Sequence, residues 1–173
     1  ASVLLGLNRL WALDLPRARL AEIALTLGAD VPFFVGGEPA LARGIGDVLT
    51  PVTLPVAWLA LAFPRAQVPT AAIFAAPELT RTSPSAKIDV FSESYGRNDL
   101  EAVASSKFPA VAEAIAALSR VSPLARMTGS GACAFAAFAT EREARDALAV
   151  LPPHIDRQLA RTLARHPLAD FAD

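Results

Sequence analysis

The order of elements read from the chain predicts an α+β protein, with helices on one face of a mainly antiparallel sheet. Three observations carry that prediction. From Val56 onward the segments read strand, helix, long helical pair, strand, turn, strand, helix, strand. The run Trp58–Phe63, closed by Pro64, has the composition of a fully buried strand. Thr140-Glu141-Arg142-Glu143 has capping-box spacing and opens a helix through Ala144, Ala147, Leu148 and Leu151, stopped by Pro152-Pro153. That succession fits a ferredoxin-like plan.

Taken in order, Val3, Leu4, Leu7, Leu10 and Trp11 recur at helical spacing, so the chain opens in a helix ending near Leu13, before Asp14 and Pro16. Asp14 is placed to cap a second helix, Pro16 to Leu27, with Leu20, Ile23, Ala24 and Leu27 inward and Gly28 terminating it. Gly36-Gly37 is a hairpin signal. A strand, a Gly44-Ile45-Gly46 turn and a second strand follow, and Pro51 and Pro55 mark a boundary. Two domains are expected, residues 1–55 and 56–173.

In the second domain, Pro69 to Ala76 starts a helix, with Ile73 and Phe74 on or beside its inner face. The stretch from Thr80 to Ser94 is polar and loop-like, the segment best suited to disorder. Asn98-Asp99 opens the longest helical region, interrupted at Pro109. Residues 155–163 fit either a helix or an edge strand, and the alternation of Ile155, Arg157, Leu159, Arg161 and Leu163 favours the strand.

Composition narrows the function classes. The chain is 53% hydrophobic with formal net charge −1, and its basic residues are scattered, which argues against a nucleic-acid partner. No apolar run reaches the length of a membrane span. Cys133 stands alone in an apolar segment, so a disulfide framework is excluded and a reducing cytoplasm is the simplest location. His154 and His166 lack metal-ligand spacing.

Two places carry candidate chemistry. Met127-Thr128-Gly129-Ser130-Gly131-Ala132-Cys133 sets two glycines around a serine before the apolar run Ala134–Phe138. Its backbone can approach a ligand closely and cradle a phosphate; on spacing alone, a tight turn joining two core strands fits as well. Asp30 precedes the apolar, proline-containing run Val31-Pro32-Phe33-Phe34 and is expected to be half buried. A carboxylate there needs either a partner or a catalytic task, the bland alternative being a loop residue capping nearby amides.

Together these motifs carry a resemblance. Leu27-Gly28-Ala29-Asp30-Val31-Pro32-Phe33-Phe34, Ala42-Arg43-Gly44-Ile45-Gly46-Asp47, Val68-Pro69-Thr70 with Phe74, Asn98-Asp99-Leu100 and Met127–Cys133 occur in an order that resembles the galactokinase, homoserine kinase, mevalonate kinase and phosphomevalonate kinase (GHMP kinase) superfamily. Within it, the match is to the kinases of 4-diphosphocytidyl-2-C-methyl-D-erythritol, and it covers nearly the whole chain. The resemblance implies ATP-dependent phosphorylation of that substrate's 2-hydroxyl, in the non-mevalonate isoprenoid pathway, with Mg²⁺ accompanying the ATP. It implies that Asp30 is the catalytic base and that Thr128, Gly129, Ser130, Gly131 and Ala132 form an active-site turn supporting phosphate binding. Phe74 is implied to stack on the cytosine and Thr70 to line the same pocket. Residues 1–55 are implied to be the remnant of an N-terminal, ribosomal S5 domain 2-like domain.

The chain departs from the superfamily in two segments: it has no Pro-x-Lys-Ile-Asn with the active-site lysine, and no Gly-Gly-Gly-Ser-Ser-Asp-Ala loop around the ATP phosphates. Ala1–Trp11 is similar to the helix that follows that loop. The chain is therefore expected to be a piece of a longer protein and not to turn over alone. Two other readings stay open: another small-molecule kinase of the superfamily, and a non-catalytic ferredoxin-like binding or dimerisation domain. Only the kinase reading requires Asp30 and the Gly129–Ala132 turn to serve one site.

Overall fold

The computed structural model describes residues 1–83 and 97–172, in two units: Ala1–Pro55 with Leu163–Asp173, and Val56–Thr162. Most of the polar stretch expected to be mobile, from residue 84 on, lies outside the described residues.

In the first unit, helices α1 (Ser2–Leu10), α2 (Arg17–Leu27) and α3 (Val31–Gly36) precede an antiparallel ribbon of β1 (Ala40–Arg43) and β2 (Val48–Pro51). Leu5, Leu20, Ala24, Val35 and Ala172 form its core. The buried face of α1 differs from the one the spacing predicts. Leu5 is fully buried, whereas Val3, Leu10 and Trp11 are exposed. Apolar residues run almost all the way round this helix, so periodicity alone does not choose its inner side. Buried Asn8 marks that side: its amide donates to the carbonyls of Leu15 and Phe171, and its oxygen accepts from Leu15 N–H.

Asp14 does not cap α2, whose N-cap is Pro16 with no side-chain cap bond. The Gly36-Gly37 pair is a helix end rather than a hairpin, with Gly37 in the left-handed region at φ 78°. Residues 163–173, expected with the second domain, belong instead to the first unit. Arg17 donates to the carbonyls of Ala169 and Ala172, and His166 N–H donates to Gly37 O at 2.7 Å, so the tail is held by one guanidinium and one backbone carbonyl that no local pattern reveals.

In the second unit, β3 (Trp58–Phe63), α4 (Thr70–Phe74), α5 (Glu101–Lys107), α6 (Pro109–Ser119), β4 (Arg126–Met127), β5 (Ala134–Phe138), α7 (Glu141–Ala149) and β6 (Asp156–Arg161) follow in sequence. The sheet order is β4-β5-β3-β6, with every neighbouring pair antiparallel. This is the expected ferredoxin-like plan, and residues 156–161 are the edge strand. The capping box at Thr140 and Glu143 is present with both of its hydrogen bonds.

One sheet face carries small residues, Ala60, Ala62, Ala134 and Ala136, which let α6 and α7 approach closely through Ala114, Ala117, Leu118 and Ala147. Because helices cover that face only, β3 is not buried on both sides as its composition predicts: Phe63 is exposed. Ile73, Val103, Ala104, Val111 and Met127 make a second cluster, which anchors α4 and α5 to the start of the glycine turn. Burying a side chain such as Ile73 contributes on the order of 1.5–3 kcal/mol, enough to fix α4 although it is only five residues long.

Candidate active site

The glycine turn leaves β4 at Met127 and enters β5 at Ala134. Thr128 N–H donates to Cys133 O at 2.9 Å and Gly131 N–H to Thr128 O at 3.2 Å, closing the turn on itself. Gly129 and Gly131 take φ of 56° and 102°, conformations that disfavour any side chain. A Cβ added at Gly131 would lie 3.0 Å from Met127 Sδ and 3.4 Å from a Val68 methyl carbon. The turn is thus packed against Val68 as well as bent.

The structure brings two of the sequence-predicted residues of this unit together. Thr70 and Ser130 share a hydrogen bond, their hydroxyl oxygens 2.7 Å apart, which joins the first turn of α4 to the glycine turn. Phe74, at the other end of α4, is 52% exposed, while its neighbour Ile73 is fully buried. The ring is therefore a surface feature and not the core residue that its spacing also allows. Arg81 donates to Phe74 O at 2.6 Å and so closes the end of the helix.

Two residues that the sequence did not assign to the site hold the turn from outside. Asn98 Nδ2 donates to Met127 O at 3.0 Å and to Gly129 O at 2.7 Å, and Glu101 accepts from Met127 N–H at 2.7 Å. In the sequence, Asn98-Asp99-Leu100 marks a helix start and a motif of the resemblance, with nothing to show that it reaches the turn. A shallow cleft of about 330 Å³ lies beside the turn, lined by Arg97, Asn98, Asp99, Arg126, Thr128 and Gly129 among others.

Cys133 is half-buried, and burial pushes its thiol above the ordinary range, with a backbone hydrogen bond from Ala62 acting in the opposite direction. Its carbonyl, rather than its sulfur, serves the turn.

Asp30 belongs to the first unit, at the N-cap position of α3. It is exposed rather than half buried, because the apolar run behind it folds as a short helix that turns Pro32 and Val35 inward and leaves the corner at Asp30 open. It makes no side-chain cap hydrogen bond, so the capping alternative does not describe it. Gly46, at φ 108° in the turn between β1 and β2, lies alongside: a Cβ there would be 3.6 Å from Asp30 Oδ1 and 3.5 Å from Ala29 O. Among the described residues, no group of three or more His, Cys, Asp or Glu is arranged to hold a metal ion, and no helix is long and apolar enough to cross a membrane.

Residues 77–157, which include α5, α6, the glycine turn and β5, match the family model described as GHMP kinases C terminal. This stretch is similar to the C-terminal part of GHMP kinases. The chain is 54% identical over 171 residues to a 4-diphosphocytidyl-2-C-methyl-D-erythritol kinase of Thiobacillus denitrificans, covering 99% of the chain and 61% of the relative. It is 50% identical over 177 residues to the same-named kinase of Cupriavidus metallidurans, with the same coverage. A solved structure described as 4-(cytidine 5'-diphospho)-2C-methyl-D-erythritol kinase superposes with a TM-score of 0.71 at 28% identity, covering 92% of this chain and 62% of that one. The chain thus spans about three fifths of the length of these kinases.

Proposed function

We propose that the chain serves the ATP-dependent phosphorylation of the 2-hydroxyl of 4-diphosphocytidyl-2-C-methyl-D-erythritol. The observation that carries this reading is the hydrogen bond between Thr70 and Ser130, which ties a helix ending in an exposed aromatic ring to a double-glycine turn. A kinase acting on a cytidine diphosphate substrate needs a surface for the base at a fixed distance from a surface for phosphate.

In this reading Phe74 stacks on the cytosine face and Thr70 lines the same pocket. The amides of Gly129, Ser130 and Ala132, which donate neither of the turn's two internal backbone hydrogen bonds, meet phosphate oxygens. Asp30, exposed and without a cap bond, accepts the proton as the 2-hydroxyl oxygen attacks the γ-phosphorus; the new P–O bond forms as the bond to ADP breaks. Such transfer asks a protein mainly for positioning and charge stabilisation, so one carboxylate suffices as base. When bound with ATP, Mg²⁺ would supply neutralisation of the phosphate charge, and it would need few protein carboxylates, in keeping with the lack of a metal-holding cluster among the described residues. A cytoplasmic location fits a half-buried free thiol.

The test joins the chain to the segment of the Thiobacillus denitrificans relative that it does not span, and supplies ATP, Mg²⁺ and the cytidine substrate. The expected result is phosphate on the 2-hydroxyl. A fusion that folds and transfers no phosphate, beside an active relative, overturns the reading.

A further inference from the structure

β4 is an edge strand of the four-stranded sheet. On its inner side Met127 is in register with Ala134 of β5. Its outer side faces no strand. There the backbone N–H of Met127 donates to Glu101 Oε2, and its carbonyl accepts from Asn98 Nδ2. Two side chains, Asn98 just before α5 and Glu101 at its first position, thus replace a neighbouring strand.

Asn98 does more than cover an edge. Its second amide proton goes to Gly129 O at 2.7 Å, and its Oδ1 accepts from Leu100 N–H at 3.0 Å. Both protons of the amide nitrogen and its oxygen are therefore engaged with backbone. The two carbonyls it clamps flank Thr128, where the chain leaves the strand and enters the left-handed conformation of Gly129. Aspartate could keep the bond to Leu100 N–H but would turn a carboxylate toward two carbonyl oxygens. Serine has only one proton to give.

We propose that Asn98 is a positioning residue for phosphoryl transfer: by clamping Met127 O and Gly129 O it sets the direction of the turn's amides. The catalytic part of this inference rests on the kinase reading above, whereas the clamp itself does not.

The two parts are tested separately. In the chain itself, Asn98→Asp and Asn98→Ala are expected to speed hydrogen exchange at the Thr128 and Gly131 amides about tenfold or more, with the β3 amides unchanged within about twofold. Asn98→Asp retains the acceptor for Leu100 N–H, so it isolates the clamp even where Asn98→Ala fails to fold. In the fusion with the Thiobacillus denitrificans segment, Asn98→Asp is expected to lower kcat about tenfold while the KM for the cytidine substrate stays within about twofold. A residue that merely stabilised the fold would lower the melting temperature and leave kcat per folded molecule unchanged. Unchanged exchange at Thr128 and Gly131 in a folded variant overturns the clamp. Faster exchange with unchanged kcat overturns the positioning role. If the unsubstituted fusion transfers no phosphate, the kinase reading and the positioning role fall together, and exchange alone decides the clamp.

Discussion

The hydroxyls of Thr70 and Ser130 lie 2.7 Å apart, across 60 residues of sequence, and join the start of α4 to the glycine turn. Each is an uncharged partner near the surface, so the bond contributes about 0.5–1.5 kcal/mol. Thr70→Val and Ser130→Ala should each cost that much in urea unfolding. Together they should cost little more than either alone, because the second substitution removes a partner already lost. Strict additivity would show that the two hydroxyls do not interact.

The two turn glycines should respond differently to alanine. At Gly129, φ is 56° and a Cβ would meet nothing within 4 Å, so Gly129→Ala carries only left-handed backbone strain, about 1–2 kcal/mol. At Gly131, φ is 102° and the Cβ would press on Met127 Sδ and Val68, adding a packing cost of about 1–3 kcal/mol. Denaturant midpoints of the two variants check the order, with Gly131→Ala the less stable.

Phe74 is an exposed ring at the end of α4, so truncating it should leave stability within about 0.5 kcal/mol. Base stacking on an aromatic ring is worth about 1–3 kcal/mol, so Phe74→Ala in the fusion should raise the KM for the cytidine substrate by about 5-fold to 150-fold. An unchanged KM would remove Phe74 from the base pocket.

The Cys133 thiol is raised above its ordinary range by burial, so the folded chain holds that proton more tightly than the unfolded chain. Between the unfolded pKa, about 8.5, and the higher folded value, ionisation favours the unfolded state, and stability should fall as pH rises through that window. Iodoacetamide should accordingly label native Cys133 more slowly at about pH 8.5 than the chain in urea, since the thiolate is the nucleophile. Equal rates would contradict the burial.

The capping box at Thr140 and Glu143, the strand Trp58–Phe63 and the alternation from Ile155 to Leu163 were legible because their signals are local. Asn98 was legible as a helix start and not as a clamp, since the carbonyls it holds lie 29 and 31 residues further along. The inner side of α1 was misread because Val3, Leu4, Leu5, Leu7 and Leu10 offer several apolar faces. The choice depended on Asn8 reaching carbonyls at Leu15 and Phe171. Burial at Asp30 was inferred from its apolar neighbours, but a short helix can bury Pro32 and Val35 while its first corner stays in water.

Asp30 bears the central claim. In the fusion of this chain with the Thiobacillus denitrificans segment, phosphate transfer from ATP to the cytidine substrate should be measured for Asp30 and for Asp30→Asn. Asparagine preserves size at an exposed position, so stability should stay within about 0.5 kcal/mol. Loss of the base should lower kcat by about two to four orders of magnitude. Asp30→Asn turning over at the unsubstituted rate would contradict the account.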